Sequence, residues 1–449
     1  MSDRLVVIGG DAAGMSAAMQ VRRRQPGREI VVLERGRWTS YSACGIPYLV
    51  GGLVGDLDDL VARSPAEFRD DHDIDVRLGH EAHAIDLDAR TVEAWDARAG
   101  RSVRVGFDVL HVATGARPLR PDLPGIDDPM VHGVQTLDDA AALEQRAATG
   151  DVRRVTVVGG GYIGLEMAEA FVHRGAEVTL LEAADQLMPS LDADVAAPLV
   201  GALEGLGIDV RLRTPLEAVE GGAVVAGGER LATDVVVLGL GTRPNAGLAA
   251  EAGIAVGVKG AIRVDRRQRT SADGVWAAGD CCESFHMVAR APVHIALGTV
   301  ANKQGRVAGV NIAGDYAAFP GALGTAVTRV CSVEIGRTGL SRREAEQYGF
   351  DAVEATIEGE TRARYLPERK SIRVKALAEV GSGRMLGAQI VGEEGTAKRI
   401  DVLATAIQAG LTADEVVELD LGYAPPFGPV WDPVHLVARG LARRLAARS

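Results

Sequence analysis

Apolar residues in this chain come in short runs that stop at glycine or at an acid. Leu5 to Ile8 is an aliphatic, largely β-branched run that halts at Gly9. An Ala-rich stretch from Ala12 to Arg24 has helical composition, and Glu29 to Leu33 is a second apolar run closed by Glu34. Strand, helix and strand in that order predict one βαβ unit. The pattern returns downstream. Arg154 to Val158 stops at Gly159, Tyr162 to Arg174 reads as a helix, and Glu177 to Leu181 is closed by Glu182. Two such units in one chain predict an α/β fold with two Rossmann-like dinucleotide-binding domains.

Between the units, Ala84 to Ala97 and Ser102 to Ala113 alternate as strands, with turns at Asp88–Arg90 and Ala99–Gly100, and predict a β-meander inserted in the first domain. Pro118, Pro121 and Pro124 mark a connection. A further strand set runs from Ala223 to Gly241 and contains the continuous apolar run Val235 to Leu240. After a Pro/Gly break at 319–324, Ala326 to Ile335, Ala352 to Ile357, Ser371 to Leu377 and Met385 to Val391 read as strands. Ala397 to Ala409 and Asp432 to Ala447 read as helices, which predicts a third, α+β domain. The expected division is 1–115 and 243–318 for the first domain, 116–242 for the second and 319–449 for the third.

Composition narrows the function classes. The chain has 449 residues, 47% of them apolar but only 4% aromatic, so its core is mostly aliphatic. A formal net charge of -12 argues against a nucleic-acid binder. No run is long enough to span a membrane, and the apolar run before Gly9 is too short for a signal segment. The cysteines, Cys44, Cys281, Cys282 and Cys331, form no CxxC pair and no disulfide framework. Reduced thiols and a cytoplasmic location are the expectation. The histidines lack metal-ligand spacing, so no metal is expected. Cys281, Cys282 and Cys331 read as packing residues, the last within a strand.

The first loop, Gly9-Gly10-Asp11-Ala12-Ala13-Gly14, opens a helix straight after a strand, where free N–H groups can hold a pyrophosphate. Gly9 suits the tight turn and Gly14 the close helix–strand contact. Asp11 replaces the middle glycine, and its carboxylate must point away from the phosphates. Glu34 stands where a ribose-binding acid is expected. The second loop completes the fingerprint with Gly159, Gly161 and Gly164, and Glu182 is its acid. Ala183 and Ala184 follow Glu182, not arginines, which favours NADH over NADPH. The segment Ser40-Tyr41-Ser42-Ala43-Cys44-Gly45-Ile46-Pro47-Tyr48 follows the first acid by a few residues and so lies near that cofactor. A helix N-terminus and a stacked flavin are expected to lower the pKa of Cys44.

Together with Thr270 to Asp280 and Ile295 to Arg306, these tracts resemble the pyridine nucleotide–disulfide oxidoreductases over nearly the whole chain. The resemblance implies a glutathione-reductase-like architecture. FAD would sit at the first loop, NADH or NADPH at the second, and the C-terminal α+β domain would make a homodimer. It implies cofactor contacts at Gly9, Gly14, Glu34, Ala113, Thr114, Gly115, Gly279 and Asp280, the last on the flavin ribityl chain. For the nicotinamide nucleotide it implies Gly159, Gly161, Gly164, Glu182 and Gly241. Leu49 stands where a second redox cysteine would fall, so the chain resembles the single-cysteine branch. The first loop has no His, unlike the NADH oxidases and peroxidases, which favours a coenzyme A-disulfide reductase. Ala43 departs from the Asn often found there. Tyr423, in Gly422-Tyr423-Ala424-Pro425-Pro426-Phe427, and Tyr365 would be catalytic tyrosines from the partner subunit. Arg22 and Arg23 read either as a solvated helix end or, with Ser40, as contacts to the substrate, a small-molecule disulfide such as a coenzyme A derivative. NADH oxidase, persulfide or polysulfide reductase, and a flavin reductase serving a protein partner are the alternatives.

Overall fold

The protein is described by a computed structural model covering residues 3–148 and 151–448. β1 (Arg4–Ile8) lies at the centre of a five-stranded sheet in the order Val275–Ala277, Val109–Val112, β1, β2 (Glu29–Glu34), Asp75–Leu78, every pairing parallel. Between β1 and β2 runs α1 (Ala12–Arg24). A second parallel sheet repeats the plan around Arg154–Val158, in the order Asp209–Arg211, Glu177–Leu181, Arg154–Val158, Val235–Leu238, Val131–His132. Runs such as Leu5-Val6-Val7-Ile8 and Val235-Val236-Val237-Leu238 are buried throughout, because helices and connecting segments cover both faces of such sheets. The meander forms an antiparallel sheet of His80–Asp86, Thr91–Asp96 and Arg101–Gly106.

The helix Gly298–Ile312 lies against α1. A Cβ at Gly305 would sit 2.2 Å from the Ala13 carbonyl oxygen, and one at Gly309 would sit 2.4 Å from that of Ala17. Glycine is needed there because two helix backbones touch.

The C-terminal part is a five-stranded antiparallel sheet in the order Ala326–Val330, Val333–Gly339, Met385–Gly392, Ser371–Glu379, Ala352–Glu360. Helices Ile400–Ala409 and Pro433–Ala446 bury their apolar faces on it. The expectation of one strand over Ala326 to Ile335 fails. A tight hairpin turn at Cys331 and Ser332 splits it, with Cys331 at φ 59°. The apolar run hides the turn because neither turn residue is a glycine or an asparagine. Among the described residues no helix is long and apolar enough to cross a membrane.

Candidate functional site

The two glycine turns are near copies. Gly9 has φ 105° and Gly159 has φ 106°, and a Cβ on either would strike the carbonyl oxygen of Ala113 at 2.1 Å or of Gly239 at 2.6 Å. A Cβ at Gly14 would stand 1.9 Å from the Gly9 oxygen, and one at Gly164 would stand 1.8 Å from the Gly159 oxygen. Both acids do the same work: Gly10 N–H donates to Glu34 Oε2 at 2.8 Å, and Gly160 N–H to Glu182 Oε2 at 2.7 Å. Their second oxygens accept from Gly36 and Ala184. Neither α1 nor the helix Tyr162–His173 has a side-chain cap. The first-turn N–H groups are thus left for an anion.

A cleft of about 330 Å³ opens at the first turn, lined by Gly9, Gly10, Glu34, Ala113, Thr114 and Gly115 among others. Asp280 presents a buried carboxylate oxygen, Oδ1, with no hydrogen-bond partner. An orphaned buried acceptor beside an uncapped helix and a glycine cradle fits a polyhydroxylated, pyrophosphate-bearing group such as FAD. Asp11 does turn its carboxylate aside, accepting from Tyr41 N–H at 3.2 Å. Burial, with Glu34 and Asp280 adding repulsion, raises its pKa from 3.8 to about 6.

Cys44 lies in a single 3₁₀ turn, Ala43–Gly45, which runs directly into α2 (Ile46–Val50). The turn is held by backbone bonds from Ser42 N–H to Leu60 O and from Ala62 N–H to Ser40 O, both 2.8 Å. The opposite face of α2 rests on the second domain, where Arg174 Nε donates to Val50 O at 2.7 Å. Cys44 is exposed, Cys281 and Cys282 are buried, and Cys331 is half-buried. The expected fall in the Cys44 pKa is not what the chain's own groups produce. Partial burial raises it, and the negative charges of Glu166, Asp280 and Asp11 raise it further, in that order. α2 has only five residues, too few for a sizeable dipole, and the charges acting on the sulfur are all acids.

Glu166 was not foreseen from the sequence. It accepts from the Thr328 hydroxyl of the C-terminal sheet, and burial raises its pKa. Its position as the fifth residue of the helix Tyr162–His173 was the available signal: an acid within the otherwise apolar stretch from Tyr162 to Ala168, just past the second glycine loop.

Arg22 is a correction. It is 9% exposed, and its guanidinium donates to the carbonyls of Pro26 and Asp73, so it fastens the loop after α1 and is not open to a substrate. Arg23 is exposed at the same helix end. Ser40 sits at φ 51° with its N–H on Gly10 O, between the first glycine turn and the Cys44 turn. Thr114 bonds Asn245, and Gly115 and Gly241 both take positive φ. Tyr365 and Tyr423 are neighbours on the surface of the C-terminal domain, at 72% and 48% exposure. Within one chain they do not join the groups that act on Cys44.

Residues 3–305 match the family described as pyridine nucleotide-disulphide oxidoreductase, and residues 325–433 match its dimerisation domain. The chain is 38% identical to a Pyrococcus horikoshii protein named NAD(P)H coenzyme A polysulfide/persulfide reductase, covering 98% of this chain and 99% of that one. It is 36% identical to a Methanocaldococcus jannaschii protein named NADH oxidase, covering 99% of each. Its fold superposes on the NAD-dependent persulfide reductase from A. fulgidus with a TM-score of 0.95 at 38% identity, over 99% of this chain and 84% of that one. With the duplicated nucleotide turns, these matches show that the chain belongs to the pyridine nucleotide-disulphide oxidoreductases, a family of FAD-dependent enzymes that draw electrons from NAD(P)H.

Proposed function

We propose that the chain reduces disulfide or persulfide sulfur carried by coenzyme A or a similar small thiol, with Cys44 as its one redox cysteine. The observation that carries this is the exposed Cys44 thiol in the turn beside Asp280 and Asp11, with Cys281 and Cys282 buried and Cys331 half-buried in a hairpin of the C-terminal sheet. Bound FAD would supply a two-electron relay from NAD(P)H to sulfur. Gly9, Gly14, Glu34 and Asp280 would hold it, and Gly159, Gly161, Gly164 and Glu182 would hold the nicotinamide nucleotide.

The Cys44 thiolate attacks one sulfur of the substrate. The S–S bond breaks, one thiolate leaves and takes a proton, and the other half stays on Cys44 as a mixed disulfide. Two electrons from NAD(P)H then break that bond, releasing the second thiol and returning the Cys44 thiolate. Because partial burial and the chain's own acids favour the protonated thiol, a resting Cys44 must lose its proton before its first attack. Tyr365 and Tyr423 of a second copy, neighbours on the surface of the C-terminal domain, would give the leaving thiolate its proton, with Arg23 and Ser40 as substrate contacts. This role needs a homodimer, which the matched dimerisation domain supports.

The test is NADH-dependent turnover of coenzyme A disulfide and of coenzyme A persulfide by wild type and Cys44→Ser, with mass spectrometry of the non-reduced protein. A coenzyme A adduct on Cys44, and loss of both turnovers in the variant, are expected; retained turnover refutes the reading. The NADH oxidase likeness supports a second reading, in which Cys44 cycles through sulfenic acid. Oxygen uptake as fast as sulfur reduction would favour it.

A further inference from the structure

A buried cation lies where the second domain meets the C-terminal sheet. The Lys375 side chain is 6% exposed, and its Nζ stands 2.9 Å from Asp194 Oδ1, 3.1 Å from Asp192 Oδ2 and 3.5 Å from Glu354 Oε2. Asp192 and Asp194 belong to the segment that follows the strand Glu177–Leu181 and its acid Glu182, while Lys375 and Glu354 stand on the C-terminal sheet. The same segment is tied to that sheet at further points. Asp192 N–H donates to Gln389 Oε1 at 2.7 Å, Arg337 Nη1 to Ser190 O at 2.8 Å, and Arg342 N–H to Asp192 Oδ1 at 3.2 Å.

Its other end touches the nucleotide turn. Met188 N–H donates to Gly160 O at 2.8 Å, and a Cβ on Gly160 would meet Leu187 Cδ2 at 2.5 Å. A continuous chain of contacts thus runs from Lys375 through residues 188–194 to Gly159-Gly160-Gly161.

We propose that Lys375 is a positioning residue for NAD(P)H: it pins residues 188–194 to the C-terminal sheet and so sets the second glycine turn where the nucleotide is received. The inference rests on the reading of that turn as the NAD(P)H site. Without the ammonium, Asp192, whose side chain is only 10% exposed, loses the cation paired with its Oδ2 and keeps a largely buried charge that only Arg342 opposes. The segment then escapes toward water, and the turn spends part of its time out of place. A turn competent a tenth of the time weakens apparent affinity about tenfold without touching the bound geometry.

The experiment is stopped-flow reduction of the flavin in the FAD-loaded protein by NADH, read as apparent Kd and limiting rate. Lys375→Met should raise the Kd about tenfold and leave the limiting rate within about twofold, with unchanged flavin content. Lys375→Arg, which keeps the charge, should restore most of the affinity. Asp194→Asn, a milder change at a half-exposed side chain, should raise the Kd by about two- to fourfold and covers the case in which Lys375→Met does not fold. A Kd unchanged in these variants, or a fall in the limiting rate alone, overturns the proposal. A wild-type flavin that neither NADH nor NADPH reduces would instead sink the reading of the second domain.

Discussion

Asp11 stands in the first glycine loop where the fingerprint wants glycine, and its charge carries a cost that can be measured. Its carboxyl pKa rises from 3.8 to about 6 on folding, chiefly through burial. At 1.36 kcal/mol per unit, that shift corresponds to about 3 kcal/mol. The sign follows from which form folding favours. A raised carboxyl pKa means that the native state prefers the neutral acid. The associated stability is therefore fully present below about pH 4 and lost as the pH climbs through about 6. Asp11→Asn removes the charge, and its amide oxygen can still accept from Tyr41 N–H, as Asp11 does at 3.2 Å. The variant should match wild type near pH 4 and exceed it by up to about 3 kcal/mol above pH 7, in urea unfolding of the first domain followed across that range. The pyrophosphate of bound FAD would push in the same direction. A stability difference that stays flat with pH would refute the reasoning, whatever its size, because it would show that the charge on Asp11 is not what differs.

Other outcomes follow from the same geometry. Glu166→Gln removes the strongest charge acting on Cys44, so the pH profile of Cys44 alkylation should move to lower pH; an unmoved profile would take Glu166 out of the site. Gly164→Ala places a methyl 1.8 Å from the Gly159 oxygen, and should abolish flavin reduction by NADH while FAD remains bound. Gly14→Ala, at 1.9 Å from the Gly9 oxygen, should instead yield protein without flavin, as its absorbance would report. If Tyr423 of a second copy protonates the leaving thiolate, Tyr423→Phe should lower kcat for sulfur reduction about 10²-fold and spare flavin reduction by NADH.

Much of this protein is written locally. A βαβ unit needs only an apolar run, a glycine at the strand end and a helix-forming stretch, all within about thirty residues. Both units were therefore legible, down to Gly9, Gly159, Glu34 and Glu182, because steric exclusion at a positive φ acts on the residue itself. The turn that carries Cys44 was legible for a similar reason, as its glycine and proline neighbours fix a turn and a helix start, whereas its exposure came only with the fold. What the tertiary structure alone decided are quantities summed through space. The Cys44 pKa shifts upward through partial burial and because Glu166, Asp280 and Asp11 arrive from three separate segments. Arg22 looks like a free surface cation in the sequence, yet the fold brings the Asp73 carbonyl to its guanidinium and buries it. Lys375 and Asp192 meet only because two domains dock. Electrostatics and burial depend on distance in three dimensions, and no window along the chain contains those distances.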